Sequence, residues 1–245
     1  MLDSLSGDTR LQDFTFKSFV GSSPTLLNAG RATNFQYQLS LEITPTEISR
    51  LNSLPIRVTF LELIDRGGGF TLVNSHEEFG ANLSVIDSQM IEGISHSILA
   101  YYSMRYVREA VLCQIANHRA ATNPMRIAIP GVFYHHKLNG HLEAVTYGVV
   151  TSEKWDGKRT ALGGLLIVEK NGELTCIPAG SSDEHREYLL QSTKFETPSR
   201  HRYKFGSLAQ RRQVPARPES SSLISLISND ILRSSSRGQV GIVLF

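Results

Sequence analysis

Four apolar, β-rich runs follow one another between residues 126 and 180, and short polar breaks separate them. The breaks are Asn139-Gly140, Asp156-Gly157-Lys158 and Asn171-Gly172. Asn-Gly and Asp-Gly pairs tolerate the positive φ angles of tight hairpin turns. The pattern therefore predicts an antiparallel β-meander.

The region before the meander begins with a regular alternation. Residues 35–43 alternate apolar and polar side chains with period two, as a half-buried strand does. Thr44 and Glu47 have the spacing of a capping box, and Pro45 suits the first helical position. These residues predict a short helix that ends before Pro55.

Two further apolar runs flank a glycine triplet. Residues 56–64 predict a second strand and residues 70–73 a third. Glycines 67–69 could cradle a phosphate if they joined a strand to a helix N-terminus. The residues after them are β-prone and contain no Lys-Ser or Lys-Thr pair, so the triplet is interpreted as a hairpin turn.

Residues 76–120 have helical periodicity. An apolar residue recurs at every fourth position, at Ile86, Met90, Ile94 and Ile98. Tyr101 and Tyr102 extend this face, which predicts two packed helices or one kinked helix. Because isoleucine and methionine offer packing and no polar group, the face is interpreted as core.

The C-terminal part contains two more helix signals. Ser181 and Glu184 have capping-box spacing before an amphipathic run, and Pro218-Glu219 opens a last helix. Residues 194–218 between them predict a linker or long loop. The apolar end of the chain, residues 239–245, predicts a strand that inserts into a sheet.

Together these elements predict an α+β fold. It consists of an N-terminal β-rich part, a central helical pair and an antiparallel β-meander with flanking helices. Residues 1–34 are expected to be loosely ordered, and residues 35–193 form the α+β core. Residues 194–218 form a basic linker or loop, and residues 219–245 supply a helix and a strand packed on the core.

Composition is that of an ordinary soluble protein, with 40% hydrophobic and 20% charged residues. The formal net charge of +2 excludes a protein that coats polyanions over its whole surface, although a local basic surface is compatible with it. Cys113 and Cys176 form no CxxC pair and are interpreted as two buried thiols. No membrane span or classical signal peptide is recognised, which leaves a cytoplasmic location or secretion by another route.

The best candidate binding site is a basic segment in the predicted loop, where Glu196 is the one acid between residues 194 and 217. Its cations are Lys194, Arg200, Arg202, Lys204, Arg211, Arg212 and Arg217. Interleaved aromatic residues suit phosphate contact and base stacking. The same composition suits an anionic lipid surface, or a solvated loop without a ligand.

Three histidines form the densest group of candidate metal ligands. His135 and His136 would face opposite sides of a strand, so at most one could meet His141 across the Asn139-Gly140 turn. With Glu143 nearby, two imidazoles and a carboxylate would suit zinc or iron. No fourth ligand is identifiable, so no metal and no cofactor are expected.

One segment has the form of a catalytic motif. Asp156-Gly157-Lys158, with Glu143 and Glu153 upstream, has the acid-x-Lys form that metal-dependent nucleases place at strand ends. Because Asp-Gly is also a hairpin turn signal and lies here between two predicted strands, the segment is interpreted as a turn. Cys113 and His118 are predicted to point to different sides of a helix, and no Gly-x-Ser-x-Gly elbow occurs. No catalytic residue is therefore assigned.

The order of features in residues 83–193 resembles a domain of large bacterial dermonecrotic-type toxins and some effector ligases. The matching features are Leu165 to Val168, Asn171-Gly172, the run from Leu174 to Gly180, and the helix from Asp183. The resemblance implies a non-catalytic helper region of a toxin or effector. It carries no catalytic residue onto this chain.

Two functional hypotheses follow. The first is a non-catalytic binding or interaction module of a bacterial secreted effector or toxin system, with a protein as its main partner. The second is a nucleic-acid-binding protein or metal-dependent nuclease that uses the basic segment 194–217. Salt-dependent binding of nucleic acid would separate them.

Overall fold

The computed structural model describes most of the chain in ten stretches: residues 14–18, 31–105, 110–146, 149, 153–158, 164–169, 171–178, 183–196, 205–210 and 240–244. A 3₁₀ turn spans Arg31–Thr33. The strands are β1 (Phe14–Ser18), β2 (Phe35–Leu39), β3 (Phe70–Ser75), β4 (Gly164–Val168), β5 (Leu174–Pro178), β6 (Leu208–Gln210) and β7 (Val240–Leu244). The helices are α1 (Pro45–Ser53), α2 (Ile56–Asp65), α3 (Glu77–Ile86), α4 (Met90–Ser103), α5 (Leu112–Thr122), α6 (Pro130–Thr146) and α7 (Asp183–Ser192).

The strands form two small sheets, and the helices supply many of the buried core residues. The first sheet has the order β3-β2-β7-β6, and all its neighbours are antiparallel. The second has the order β1-β4-β5, in which β1 pairs parallel with β4 and β5 pairs antiparallel with β4. This mixture of helices with mainly antiparallel pairing confirms the predicted α+β class.

The helix predicted after β2 is confirmed in detail. The backbone N–H of Glu47 donates to the Thr44 hydroxyl at 3.3 Å, and the Thr44 N–H donates to the Glu47 carboxylate at 3.1 Å. Pro45 occupies the first helical position, and α1 ends at Ser53, before Pro55.

The strand predicted over residues 56–64 was wrong, because this run forms α2. Its buried residues are Thr59, Phe60 and Leu63, which lie on one helical face. A short apolar run of this kind does not distinguish a strand from a buried helix. The glycine triplet accordingly joins a helix to β3, and is not a hairpin between two strands. Gly67 has φ +81°, and a Cβ at Gly68 would lie 2.7 Å from the Leu63 carbonyl oxygen.

The helical region contains three helices rather than a pair. Ile94 and Ile98 are buried on α4, as predicted, with 1% and 0% exposure. The periodic face is divided between α3 and α4 at Asp87, whose side chain accepts from the backbone N–H of Gln89 at 2.8 Å.

The first half of the predicted meander was also wrong, because residues 130–146 form α6. Tyr134, Leu138, Leu142 and Val145 are buried on this helix, which packs against α3, α4, α5 and α7. The Asn139-Gly140 pair therefore lies inside a helix, where the tertiary packing of an apolar face outweighs its turn preference.

The second half of the meander is a true hairpin. β4 and β5 are antiparallel, and Gly172 has φ +88° in the turn between them. Ile167 is fully buried, as predicted, whereas Cys176 is exposed and Cys113 is half-buried, so the interpretation of two buried thiols was wrong.

The end of the chain completes the first sheet, where β7 lies between β2 and β6. The predicted helix after Pro218 lies outside the described residues, and the domain boundaries remain a prediction. Within the described residues, every helix is too short or too polar to cross a membrane.

Candidate active site

The acid-x-Lys segment lies in a loop that follows α6 and is attached to α3. The attachment is the amide of Asn82, a residue with 1% exposure. Its Nδ2 donates to the Glu153 carbonyl oxygen at 2.8 Å, and its Oδ1 accepts from the Trp155 N–H at 2.7 Å. A buried amide that satisfies one donor and one acceptor of a loop fixes the backbone of that loop.

Within this loop, Asp156 and Lys158 form an ordered turn. The Asp156 carboxylate accepts from the Lys158 backbone N–H at 2.9 Å, and the Lys158 Nζ lies 3.0 Å from the other carboxylate oxygen. Gly157 has φ +83°, which a residue with a side chain rarely adopts. The Trp155 indole N–H closes the turn by donating to the Lys158 carbonyl oxygen at 2.6 Å.

The two charged side chains of the turn are accessible to a ligand. Their exposed fractions are 58% for Asp156 and 82% for Lys158. The hydrogen bond from the Lys158 backbone N–H and the adjacent ammonium lower the pKa of Asp156. Lys154, one residue before Trp155, lies 3.1 Å from Glu77 at the start of α3. The loop therefore presents an ionised carboxylate and an ammonium on a backbone that is hydrogen-bonded to Asn82 of α3.

The acid-x-Lys segment was interpreted as a hairpin turn between two strands, and within the described residues the structure does not have those strands on both sides of it. Asp156-Gly157 is a turn, as its sequence predicted, but it follows helix α6 and not the second strand of a meander. Glu143, which was considered as an upstream acid, forms an ion pair with Arg186 at 3.2 Å. Glu153 offers its backbone carbonyl to Asn82.

The loop could hold a divalent cation only if most of the ligands came from outside the protein. Within the described part of the chain, no three His, Cys, Asp or Glu side chains are grouped as a metal site. Mg²⁺, however, is commonly held by one or two carboxylates together with substrate phosphates and waters. Asp156 can supply one such carboxylate, and the remaining ligands would come from the substrate and solvent.

The three candidate histidines all lie on α6, where they have different surroundings. His135 Nε2 lies 2.9 Å from the Asn117 Oδ1, and His136 is exposed. His141 is buried, and burial lowers its pKa to about 4. Because the residues lie on a helix and not on a strand, the argument from alternating strand faces does not apply.

The basic segment 194–217 is described only in small part. Lys194 is half-buried, and its backbone pairs with Val111 at the beginning of α5. The other six predicted cations, Arg200, Arg202, Lys204, Arg211, Arg212 and Arg217, lie outside the described residues. Their role in binding an anion remains a prediction.

Comparison with known proteins identifies the family. The family model described as HpaII restriction endonuclease matches residues 2–214. The chain belongs to the HpaII restriction endonuclease family. One relative, the type II restriction enzyme HpaII of Haemophilus parainfluenzae, is 32% identical over 212 residues. The match covers 85% of this chain and 58% of that relative, so the chain spans less than two thirds of the relative's length. No solved structure matches the chain.

Membership of the HpaII family corrects several hypotheses. The resemblance to dermonecrotic-type toxins was wrong, and so was the non-catalytic module of an effector system. A protein as the main partner is not supported. The alternative hypothesis, a nucleic-acid-binding protein or nuclease, agrees with the family.

The sequence analysis did not identify Asn82, although an Asn between Phe79 and Leu83 on an apolar helix is a recognisable signal of a buried polar contact.

Proposed function

We propose that this chain cleaves duplex DNA at specific sites, as a restriction-type endonuclease. The observation that carries this proposal is the match to the HpaII restriction endonuclease family over residues 2–214. The ordered acid-x-Lys turn at Asp156–Lys158 supports it, because metal-assisted phosphodiester hydrolysis uses a metal-binding carboxylate together with positive charge near the developing phosphate charge.

The loop assigns separate roles to its two charged residues. Asp156 is ionised at neutral pH and offers a hard oxygen ligand to Mg²⁺. Lys158 places an ammonium beside that carboxylate, where it would contact a non-bridging phosphate oxygen or the attacking water. If Asp156 held Mg²⁺, the ion would supply Lewis acidity toward the phosphate and would lower the pKa of a water bound to it.

Digestion of plasmid DNA tests this proposal. In the presence of Mg²⁺ the chain should give discrete fragments, and EDTA should abolish them. Asp156→Asn and Lys158→Met should each reduce the rate about 100-fold or more, since each removes a charge at the reacting phosphate. Asp65→Asn is the matched control, because Asp65 is an exposed carboxylate of α2 that is paired with Arg105. That variant should keep the wild-type rate.

The outcomes separate the function from the site. Discrete fragments that persist in the Asp156→Asn variant would preserve the function and refute this site. DNA binding without cleavage in Mg²⁺, Mn²⁺ or Ca²⁺ would favour a second candidate function, DNA binding alone. The coverage of only 58% of the relative's length motivates that candidate, since a binding part can occur without the complete catalytic centre.

A further inference from the structure

The hairpin of α5 and α6 has an unusual charge distribution. Residues 110–142 contain no Asp or Glu, although they include two arginines, one lysine and four of the eight histidines of the chain. The two helices pack on each other, so this stretch forms one continuous feature of the fold. Because the hairpin itself contributes no carboxylate, its own side chains do not repel phosphate.

Arg119 in the last turn of α5 is the least compensated cation of this hairpin. Its side chain is partly buried, and its Nε is fully buried without a hydrogen-bond partner in the described structure. The ionisable groups that it influences are Tyr37, His96, His118 and Tyr134, all of which lack negative charge at neutral pH.

Four other described arginines differ from Arg119 in this respect. Arg50, Arg66, Arg105 and Arg186 each lie against a carboxylate. The carbonyl end of α5 offers Arg119 only a partial negative charge. Burial lowers the pKa of Arg119 to about 10, which still leaves the guanidinium charged at neutral pH. A buried charge without a partner is costly, and an anionic ligand would compensate it.

The corner that follows α5 brings a second arginine to the same end of the hairpin. Asn123 and Arg126 have positive φ angles of 39° and 54°. The Asn123 side chain clamps the corner, because it accepts from the Ile127 N–H at 2.9 Å and donates to the Ile127 carbonyl at 3.0 Å. Arg126 is exposed within this ordered turn. Strained backbone of this kind often occurs where a protein holds a ligand-binding residue.

Lys137 does not belong to this surface. It is buried on α6 and forms an ion pair with Asp87, at the junction of α3 and α4. Its charge is therefore neutralised within the fold. This leaves Arg119 and Arg126 as the uncompensated cations of the corner.

We propose that the corner between α5 and α6 binds the phosphate backbone of duplex DNA, with Arg119 and Arg126 each contacting one phosphate. This inference rests on the proposed endonuclease function and names a contact surface for its substrate. Planar guanidinium groups pair well with phosphate oxygens. Phosphate contacts position a protein on duplex DNA without reading its sequence.

Binding of a fluorescent, random-sequence DNA duplex in EDTA tests the surface separately from cleavage. The dissociation constant is measured by anisotropy over a range of salt concentrations. Each phosphate contact contributes about −0.9 to the slope of log K against log salt. Arg119→Met and Arg126→Gln should therefore each make the slope shallower by about 0.9, and the double variant by about twice that. Arg50→Gln is the matched control, because Arg50 is already paired with Glu62, and it should leave the slope unchanged.

Thermal unfolding of the free protein distinguishes a ligand-binding Arg119 from a structural one. Replacement of an uncompensated buried charge by methionine should raise the melting temperature, whereas loss of a structural arginine would lower it. Arg126→Gln, at an exposed position, keeps the test valid if Arg119→Met folds poorly.

The results separate this inference from the proposed function. Unchanged salt slopes in both arginine variants of a chain that cleaves DNA would overturn the inference alone. If the wild-type chain neither binds nor cleaves DNA, the inference and the proposed function both fail. Shallower slopes for both variants, with a more stable Arg119→Met protein, would establish the contact surface.

Discussion

Replacement of Asn82 by Ala should both destabilise the protein and release the loop that carries Asp156. The variant removes two part-buried hydrogen bonds, one from the amide to the Glu153 carbonyl and one from the Trp155 N–H to the amide. At about 0.5–1.5 kcal/mol for each bond, the free energy of unfolding should fall by roughly 1–3 kcal/mol. For a chain of this size, the melting temperature should fall by roughly 2–12 °C.

The protein reports on this loop through its own fluorescence, because Trp155 is its one tryptophan. The Asn82→Ala variant should shift the Trp155 emission to longer wavelength in the folded state, and iodide should quench it more strongly. The rate of DNA cleavage by the variant should also fall, because the loop that carries Asp156 and Lys158 loses its attachment to α3. Ser84→Ala is a control on the same helix, since Ser84 is exposed and its hydroxyl donates to the Gly80 carbonyl oxygen within α3. Unchanged stability and unchanged emission of Asn82→Ala would refute the assignment of Asn82 as the anchor.

Two further predictions concern α6. Gly140→Ala should raise the free energy of unfolding in urea by about 0.5–1 kcal/mol, because the position is helical. The added Cβ would lie 3.4 Å from Met90 Cε, an ordinary van der Waals contact. A destabilised variant would indicate a turn with positive φ at this position. His141→Leu should flatten the fall in stability on acidification. Burial lowers the pKa of the His141 imidazole from 6.5 to about 4. Between these two pH values the unfolded chain therefore binds a proton at this residue more readily than the folded chain does. The free energy of unfolding of the wild-type protein should therefore rise as the pH increases from about 4 to 6.5. Its slope should exceed that of the variant by up to about 1.4 kcal/mol per pH unit. Parallel pH profiles of the urea midpoint would contradict this.

The sequence predicted those elements whose signals are local. The capping box of Thr44 and Glu47 specifies the start of α1 by contacts within four residues, and Asn171-Gly172 specifies a turn in the same way. The runs that form α2 and α6 were assigned wrongly, because their β-branched and aromatic residues favour strands in isolation. Burial of Tyr134 and Leu138 against distant helices decides the structure there, and no local pattern contains that information.

The candidate site was visible in the sequence but was given the wrong weight. Turn and acid-x-Lys motif were treated as alternatives at Asp156, although the structure shows that the turn itself places the carboxylate beside Lys158. The role of Asn82 depends on a contact between residues more than seventy positions apart. Such a contact follows from the packing of the loop on α3, which a single sequence does not specify.

The low net charge also requires a different interpretation. A formal charge of +2 was taken to exclude general coating of polyanions, which holds, yet it conceals how the charges are distributed. Removing the three Lys and Arg of residues 110–142 from the total of 25 leaves 22, against 23 Asp and Glu. The rest of the chain is therefore slightly acidic, and many of its cations are paired with carboxylates. A polyanion approaching this protein would be attracted where cations lack neighbouring carboxylates, as Arg119 and Arg126 do at the corner between α5 and α6. If that is correct, the salt dependence of DNA binding will depend on Arg119 and Arg126 more than on any paired arginine.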